Sequence, residues 1–197
     1  WTPFVPMAGI SLEIDIETGE KKWRGQFRED LLFTHRGLSG PAVLQISSYW
    51  REGADMSLNL LPGLDVAAAL TEGKREIRRT LANWLSQYLP SRLSEAWLLA
   101  HDLKPDTRVP DLPDKILRRL GESLNGWRIR PNGSEGYRKA EVTLGGVDTR
   151  ALSQQDMSVK ALPGLHFVGE AVDVTGWLGG YNFQWAWASG VAAGLSV

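Results

Sequence analysis

Residues 164–194, GLHFVGEAVDVTGWLGGYNFQWAWASGVAAG, carry the reading of this chain. LHFV is short, apolar and bounded by glycines, as a buried parallel strand would be. Gly169 and Glu170 fall at its C-terminal end, where open α/β sheets bind ligands. Gly179 and Gly180 let a backbone approach a ligand closely, and a helix is predicted to begin near Tyr181 or Asn182. Its N-terminus would offer unpaired N–H groups and a partial positive charge, suited to a phosphate or to the carbonyl edge of a flavin. Ala186, Gly190 and Ala193 form a stripe of small residues along it. The same pattern is also satisfied by a strand and helix whose glycines only make turns.

Upstream, the chain reads as two textures. SLEIDI alternates apolar and polar, ETGE turns and KKWRGQF continues, which predicts a β-hairpin. DLLFTH reads as a further strand. GLSGPAVLQISSYW then places Ser39 as an N-cap and Pro41 in a first helical turn. MSLNLLP alternates again. From residue 65 to about residue 120 apolar residues recur at helical spacing (DVAAAL, REIRRTLANWLSQYL, SRLSEAWLLA, DKILRRLGESL), punctuated by Pro90, Pro105, Pro110 and Pro113. NGWRIRP and YRKAEVTLGGV return to strand character. The fold class expected is α+β: a β-rich barrel or sheet subdomain (1–62 and 125–150), an inserted helical subdomain (63–124), and a C-terminal strand, loop and helix (151–197).

Composition narrows the function. With 22 Lys and Arg against 23 Asp and Glu, no global field favours nucleic acid or an anionic membrane. There is no cysteine, so disulfides, thiolate metal sites and CxxC redox pairs are excluded, and a reducing, cytoplasmic setting is expected. No apolar run approaches the roughly 20 residues of a membrane span, and no metal site is expected. The chain starts WTPFVPMAGI, without an initiating Met or a signal-peptide pattern, and reads as a piece of a longer protein.

GEAVDVTGWLGGYNFQWAWASGVAAG resembles the C-terminal FAD motif of the aminoacetone-oxidase-like flavoproteins, also described as NAD(FAD)-utilizing dehydrogenases. LLFTHRGLSGPAVLQIS (31–47), AEVTLGGV (140–147) and DMSVKALPGLHFVGE agree with the family in the same order. The resemblance implies an FAD-dependent oxidoreductase whose GxGxxG Rossmann unit lies in a missing N-terminal segment, since no GxGxxG occurs here. It places Gly169, Glu170 and Asp173 by the pyrophosphate and ribityl chain, with Glu170 accepting a ribityl hydrogen bond. It sets Gly179, Gly180, Tyr181 and Asn182 along the isoalloxazine edge, and turns Thr34, His35 and Ser39 toward the flavin. A loop-tying hydrogen bond is the alternative role for His35, and a close chain crossing the alternative for Gly145 and Gly146. Trp177, Trp185 and Trp187 are expected in the core or at an interface rather than stacked on the flavin. The family's Thr-Met-x-Ser-Lys run is broken here at Asp156, Met157, Ser158, Val159 and Lys160, and no role is assigned to it.

The partners implied are a small-molecule substrate, an amine or a steroid-like enone, with NAD(P)H as a candidate electron donor. The isolated piece is expected to be inactive, with its last strand and helix frayed, rearranged, or paired with another chain through an exposed strand edge. A reading from another class makes the helical insert an RNA- or protein-binding module, using Lys74, Arg75, Arg78, Arg79, Arg118 and Arg119. Interleaved Glu72, Glu76 and Glu95 argue instead for a solvated helix face, and nucleic acid is the second choice.

Overall fold

The structure, a computed structural model, describes residues 2–197. These divide after Asn132 into two compact units, the second being Gly133–Val197.

The first unit is built on a five-stranded antiparallel sheet in the order β3-β2-β1-β4-β5. β1 (Ser11–Thr18) pairs with β2 (Gly25–Phe33) so that Asp15 faces Arg28 and Ile16 faces Phe27. Alternation sends Ile14, Ile16 and Thr18 inward, while Asp15 and Arg28 form a bidentate pair outside, at 2.7 and 2.9 Å. The hairpin is therefore as expected, except that the two predicted strands after the turn are one continuous β2. β4 (Met56–Asn59) pairs with β1, and β5 (Trp127–Ile129) closes on β4.

β3 (Leu38–Ser39) is an edge strand beside β2, followed by α1 (Pro41–Ser47). The helix cap is Gly40, not Ser39, whose backbone is taken by pairing with Leu32. Gly40 has φ +90°, and a Cβ there would stand 2.7 Å from the Asp30 carbonyl. Only glycine satisfies both constraints.

Four helices follow: α2 (Val66–Glu72), α3 (Leu81–Leu85), α4 (Ser91–Ala100) and α5 (Asp114–Asn125). Asp65 caps α2 by accepting from the Ala68 N–H at 2.9 Å, and Thr80 caps α3. Residues 75–79, expected to be helical, are not. Thr80 instead makes a β-bridge with Arg108, and the Leu81 N–H donates to the Thr107 carbonyl at 2.9 Å, which diverts backbone groups a continuous helix would use. α2 and α5 run antiparallel in such close contact that a Cβ on Gly121 would fall 2.8 Å from the Ala67 Cβ. Asn125 fastens the end of this pair: its amide donates to Asn59 at 2.9 Å and to the Leu64 carbonyl at 2.8 Å, and its oxygen accepts from the Val66 N–H at 2.9 Å. One hydrophobic core runs through sheet and helices, including Phe33, Leu58, Leu70, Leu85, Trp97, Leu117 and Leu124.

The second unit has, among its described residues, one α-helix, α6 (Tyr181–Gly194), three single-turn 3-10 helices and no strand longer than single bridges. Both predicted strands here, in 137–147 and 165–168, fail for one reason: a strand needs a ladder, and neither segment has one. Val147 bridges Val172 in parallel, and Ser158 bridges His166. Leu165 and Val168, read as buried, stand exposed. Leu152, Met157 and Val172 are its buried core, covered by Phe167, Trp185, Ala192 and Ala193 among others.

Candidate functional site

α6 begins where the sequence placed it, and its corner is made by glycines in the left-handed region. Gly179 has φ +117° and Gly180, the N-cap, φ +90°. A Cβ on Gly180 would meet nothing, and one on Gly179 only the Tyr181 ring at 3.7 Å. Backbone conformation therefore demands the glycines, while the space beside them stays open to a ligand. Tyr181 is exposed. The Asn182 side chain is already engaged: its oxygen accepts from the Gly176 N–H at 2.7 Å and its nitrogen donates to the Gly176 carbonyl at 3.1 Å. Asn182 thus clasps the loop leading into the helix, and only its backbone is available for a ligand. Gly176 permits the clasp, since a Cβ there would lie 2.7 Å from that of Tyr181.

Gly169 is buried at φ +62° and held from two sides. Its N–H donates to the Ser189 hydroxyl at 2.9 Å, and its carbonyl accepts from the Trp185 indole at 3.0 Å. Ser189 in turn donates to the Trp185 carbonyl at 2.7 Å. The packed face of α6 is therefore Asn182, Trp185, Ala186 and Ser189, at helical spacing, with Ala186 lying against Gly169. Trp185 packs as expected. Trp177 and Trp187 are exposed, the latter by 71%, together with Phe183 at 75%. Gly180, Phe183, Gln184 and Trp187 border a concavity of about 320 Å³.

Glu170 is exposed and accepts from the Thr143 N–H at 2.8 Å and its hydroxyl at 3.4 Å. This joins the VTLGGV stretch to the GEAVD stretch. Beside it the Val147 N–H donates to the Ala171 carbonyl at 2.8 Å, and the Asp173 N–H to the Val147 carbonyl at 2.9 Å. A Cβ on Gly146 would stand 2.6 Å from the Ala171 carbonyl oxygen, so Gly146 is the close chain crossing. The Asp173 side chain is exposed.

In the broken Ser-Lys run, the Asp156 carboxylate accepts from the Ser158 N–H at 3.1 Å and its hydroxyl at 2.8 Å, with Met157 at φ +61°. Hydrogen bonds from the Ser153 hydroxyl and from Ser158 hold its pKa down to about 2. Lys160 donates to the Arg150 carbonyl at 2.9 Å.

Thr34, His35 and Ser39 lie in the first unit. Thr34 closes its own turn: its hydroxyl donates to the Gly37 carbonyl at 2.8 Å and accepts from the Arg36 and Gly37 N–H groups. The tie expected of His35 is thus made by Thr34. Among the described residues the His35 ring is exposed and, like the Ser39 hydroxyl, makes no hydrogen bond. The roles of Asn125, Gly121, Ser189 and Gly176 went unread. Of these, Ser189 could have been found from its place one turn beyond Trp185 on the small-residue stripe. Among the described residues no group of three or more His, Cys, Asp or Glu could hold a metal ion, and no helix is long and apolar enough to cross a membrane.

An antiparallel sheet carrying a helical subdomain defines the class, and sequence comparison supplies the family. The model described as HI0933-like protein barrel and H2TH domain matches residues 2–142, and the chain belongs to that family. It is 54% identical over 164 residues to the ribosomal RNA dihydrouridine synthase of Escherichia coli (strain K12), covering 83% of this chain and 41% of that protein. It is 43% identical over 192 residues to the protein of the same name from Haemophilus influenzae (strain ATCC 51907 / DSM 11121 / KW20 / Rd), covering 97% and 47%. A 3-dehydro-bile acid delta(4,6)-reductase of Clostridium scindens (strain ATCC 35704 / DSM 5676 / VPI 13733 / 19) is 26% identical over 208 residues, covering 99% and 50%. The chain spans about half the length of these relatives. All three are named as enzymes, and none of the three as an aminoacetone oxidase.

Proposed function

We propose that this chain supplies the sheet, helical and C-terminal segments of a flavin-dependent enzyme that forms dihydrouridine in ribosomal RNA. The observation that carries the reading is the identity of 54% and 43% to two proteins of that name, over 83% and 97% of the chain. The bile-acid reductase, at 26%, fits the same chemistry. Uridine to dihydrouridine, and reduction of an enone, each add a hydride and a proton across a C=C bond conjugated to a carbonyl.

The residues at the α6 corner fit FAD on the chain's own geometry. Gly179 and Gly180 leave open space beside a helix start whose partial positive charge suits an anionic ring edge. When bound, FAD would supply the two-electron chemistry, recharged by a reduced nicotinamide. The backbone of Gly180, Tyr181 and Asn182 would orient that edge. Gly169, Glu170 and Asp173 would border the ribityl and pyrophosphate side, with Glu170 exchanging its Thr143 partner for a ribityl hydroxyl. The ADP half would be held by a GxGxxG segment outside these residues, and the 197 residues alone would be inactive. Thr34, His35 and Ser39 are the substrate-side candidates.

The test is the full-length protein purified without added cofactor. An oxidised-flavin absorbance spectrum is expected, lost in the double variant Gly179→Val/Gly180→Val. A folded, colourless protein that takes up no added FAD contradicts the reading.

A further inference from the structure

We propose that the outer face of α5, together with the loop 73–80 pinned beside it, docks the phosphate backbone of an RNA. The inference rests on the ribosomal-RNA reading above and assigns it a surface. α5 buries Leu117, Leu120, Gly121 and Leu124 on its inner side. Lys115, Arg118, Arg119 and Glu122 fall on the other side at spacings of three and four residues, one stripe of a helix. With Ile116 they line a shallow concavity of about 580 Å³.

The loop brings more charge to the same helix. Lys74 donates to the Asp114 carboxylate at 2.8 Å, which ties the loop to the first turn of α5 and neutralises the carboxylate there. Arg75, Arg78 and Arg79 follow, exposed, with Glu76 the one acid among residues 73–80. Among the described residues none of Arg75, Arg78, Arg79, Lys115, Arg118 and Arg119 is in an ion pair. Beyond the Coulombic pull of Arg118 on Asp114, these guanidinium and ammonium groups do no evident work in holding the fold. Their mounting is rigid all the same: Gly121 seats α5 on α2, Asn125 locks its end, and the Val109 N–H donates to the Arg79 carbonyl at 3.3 Å. Unpaired cations on a fixed scaffold are what backbone recognition of a folded polyanion uses. Glu122 lines the same concavity and Glu76 falls between Arg75 and Arg78, and the six cations outnumber these two acids. A flat charged helix with a single half-buried apolar residue, Ile116, has little to insert into a bilayer, and RNA is the better fit.

The test measures fluorescence anisotropy of a fluorescein-labelled 40-nucleotide ribosomal RNA hairpin on the 197-residue chain, from 50 to 200 mM KCl. Lys115→Ala/Arg118→Ala/Arg119→Ala is expected to weaken binding at least tenfold. The slope of log Kd against log salt should fall by about 2, following the loss of roughly 0.7–0.9 per phosphate contact. Arg138→Ala/Lys139→Ala, in the other unit, should leave both unchanged, and Arg118→Lys/Arg119→Lys should retain most of the affinity. No binding by the wild-type chain at 50 mM KCl, a triple variant with wild-type affinity and slope, or binding to phosphatidylserine vesicles without RNA binding would each overturn the proposal. If the triple variant loses its circular dichroism, hydrogen exchange of the wild-type chain decides: RNA should protect 73–80 and 114–122, and absence of protection there overturns it. Dihydrouridine formation by the full-length protein separates the two readings. Formation undiminished in the triple variant sinks the docking surface alone. No formation by a flavin-loaded, RNA-binding wild type sinks the functional reading alone.

Discussion

The two units hold themselves together by different means. The first buries an apolar core through sheet and helices, with strand ladders on one side and the α2–α5 contact on the other. The second buries only Leu152, Met157 and Val172 to a comparable degree. It keeps its shape through glycines at positive φ, single β-bridges and side-chain bonds to backbone, such as Ser189 and Trp185 on Gly169. Its helix turns Tyr181, Phe183, Trp187 and Val191 outward, and Leu195 just beyond it is exposed as well. Apolar burial gives cooperative stability, whereas isolated hydrogen bonds each contribute about 1 kcal/mol net. The contrast separates a unit built for rigidity from one whose backbone is shaped around an open corner.

That contrast can be broken by substitution. The largest effect is expected from Leu117→Ala, a fully buried core truncation in the first unit, at about 2–5 kcal/mol by urea denaturation. Met157→Ala in the second unit should cost clearly less; an equal cost would erase the distinction. Asn125→Ala should follow at about 1–3 kcal/mol, because the Val66 N–H loses its acceptor. Gly146→Ala should open 143–147 from 170–173, seen as faster amide exchange at Val147 and Asp173 with the first unit unchanged. The smallest effect is with pH. Asp156 has its folded pKa lowered to about 2 by Ser153 and Ser158. Its contribution is complete above the ordinary carboxylate value of about 3.9 and is lost as pH falls through about 2. A carboxyl NMR titration of Asp156 with a midpoint near 4 would contradict this.

The same contrast explains what the sequence could reveal. The hairpin, α1 with Pro41 at its start and the onset of α6 are written in local pattern, and each was legible. Residues 75–79 have helical spacing yet lose their helix to a long-range bridge between Thr80 and Arg108, which no local window contains. LHFV and AEVTLGGV have strand composition, but a strand exists only with a partner, and each segment finds no more than a single bridge. In the candidate site, Gly179 and Gly180 were legible because positive φ leaves a residue signature. The clasp of Asn182 on Gly176 and the grip of Ser189 on Gly169 depend on a fold-back that spacing does not specify.

The most direct test is mass-spectrometric measurement of dihydrouridine in ribosomal RNA from cells lacking the gene, complemented with the full-length protein. The account predicts that wild type restores dihydrouridine and Gly179→Val/Gly180→Val does not, although both accumulate as folded protein. Ribosomal RNA without dihydrouridine in the presence of flavin-loaded wild type, or dihydrouridine restored in full by the glycine variant, would contradict it.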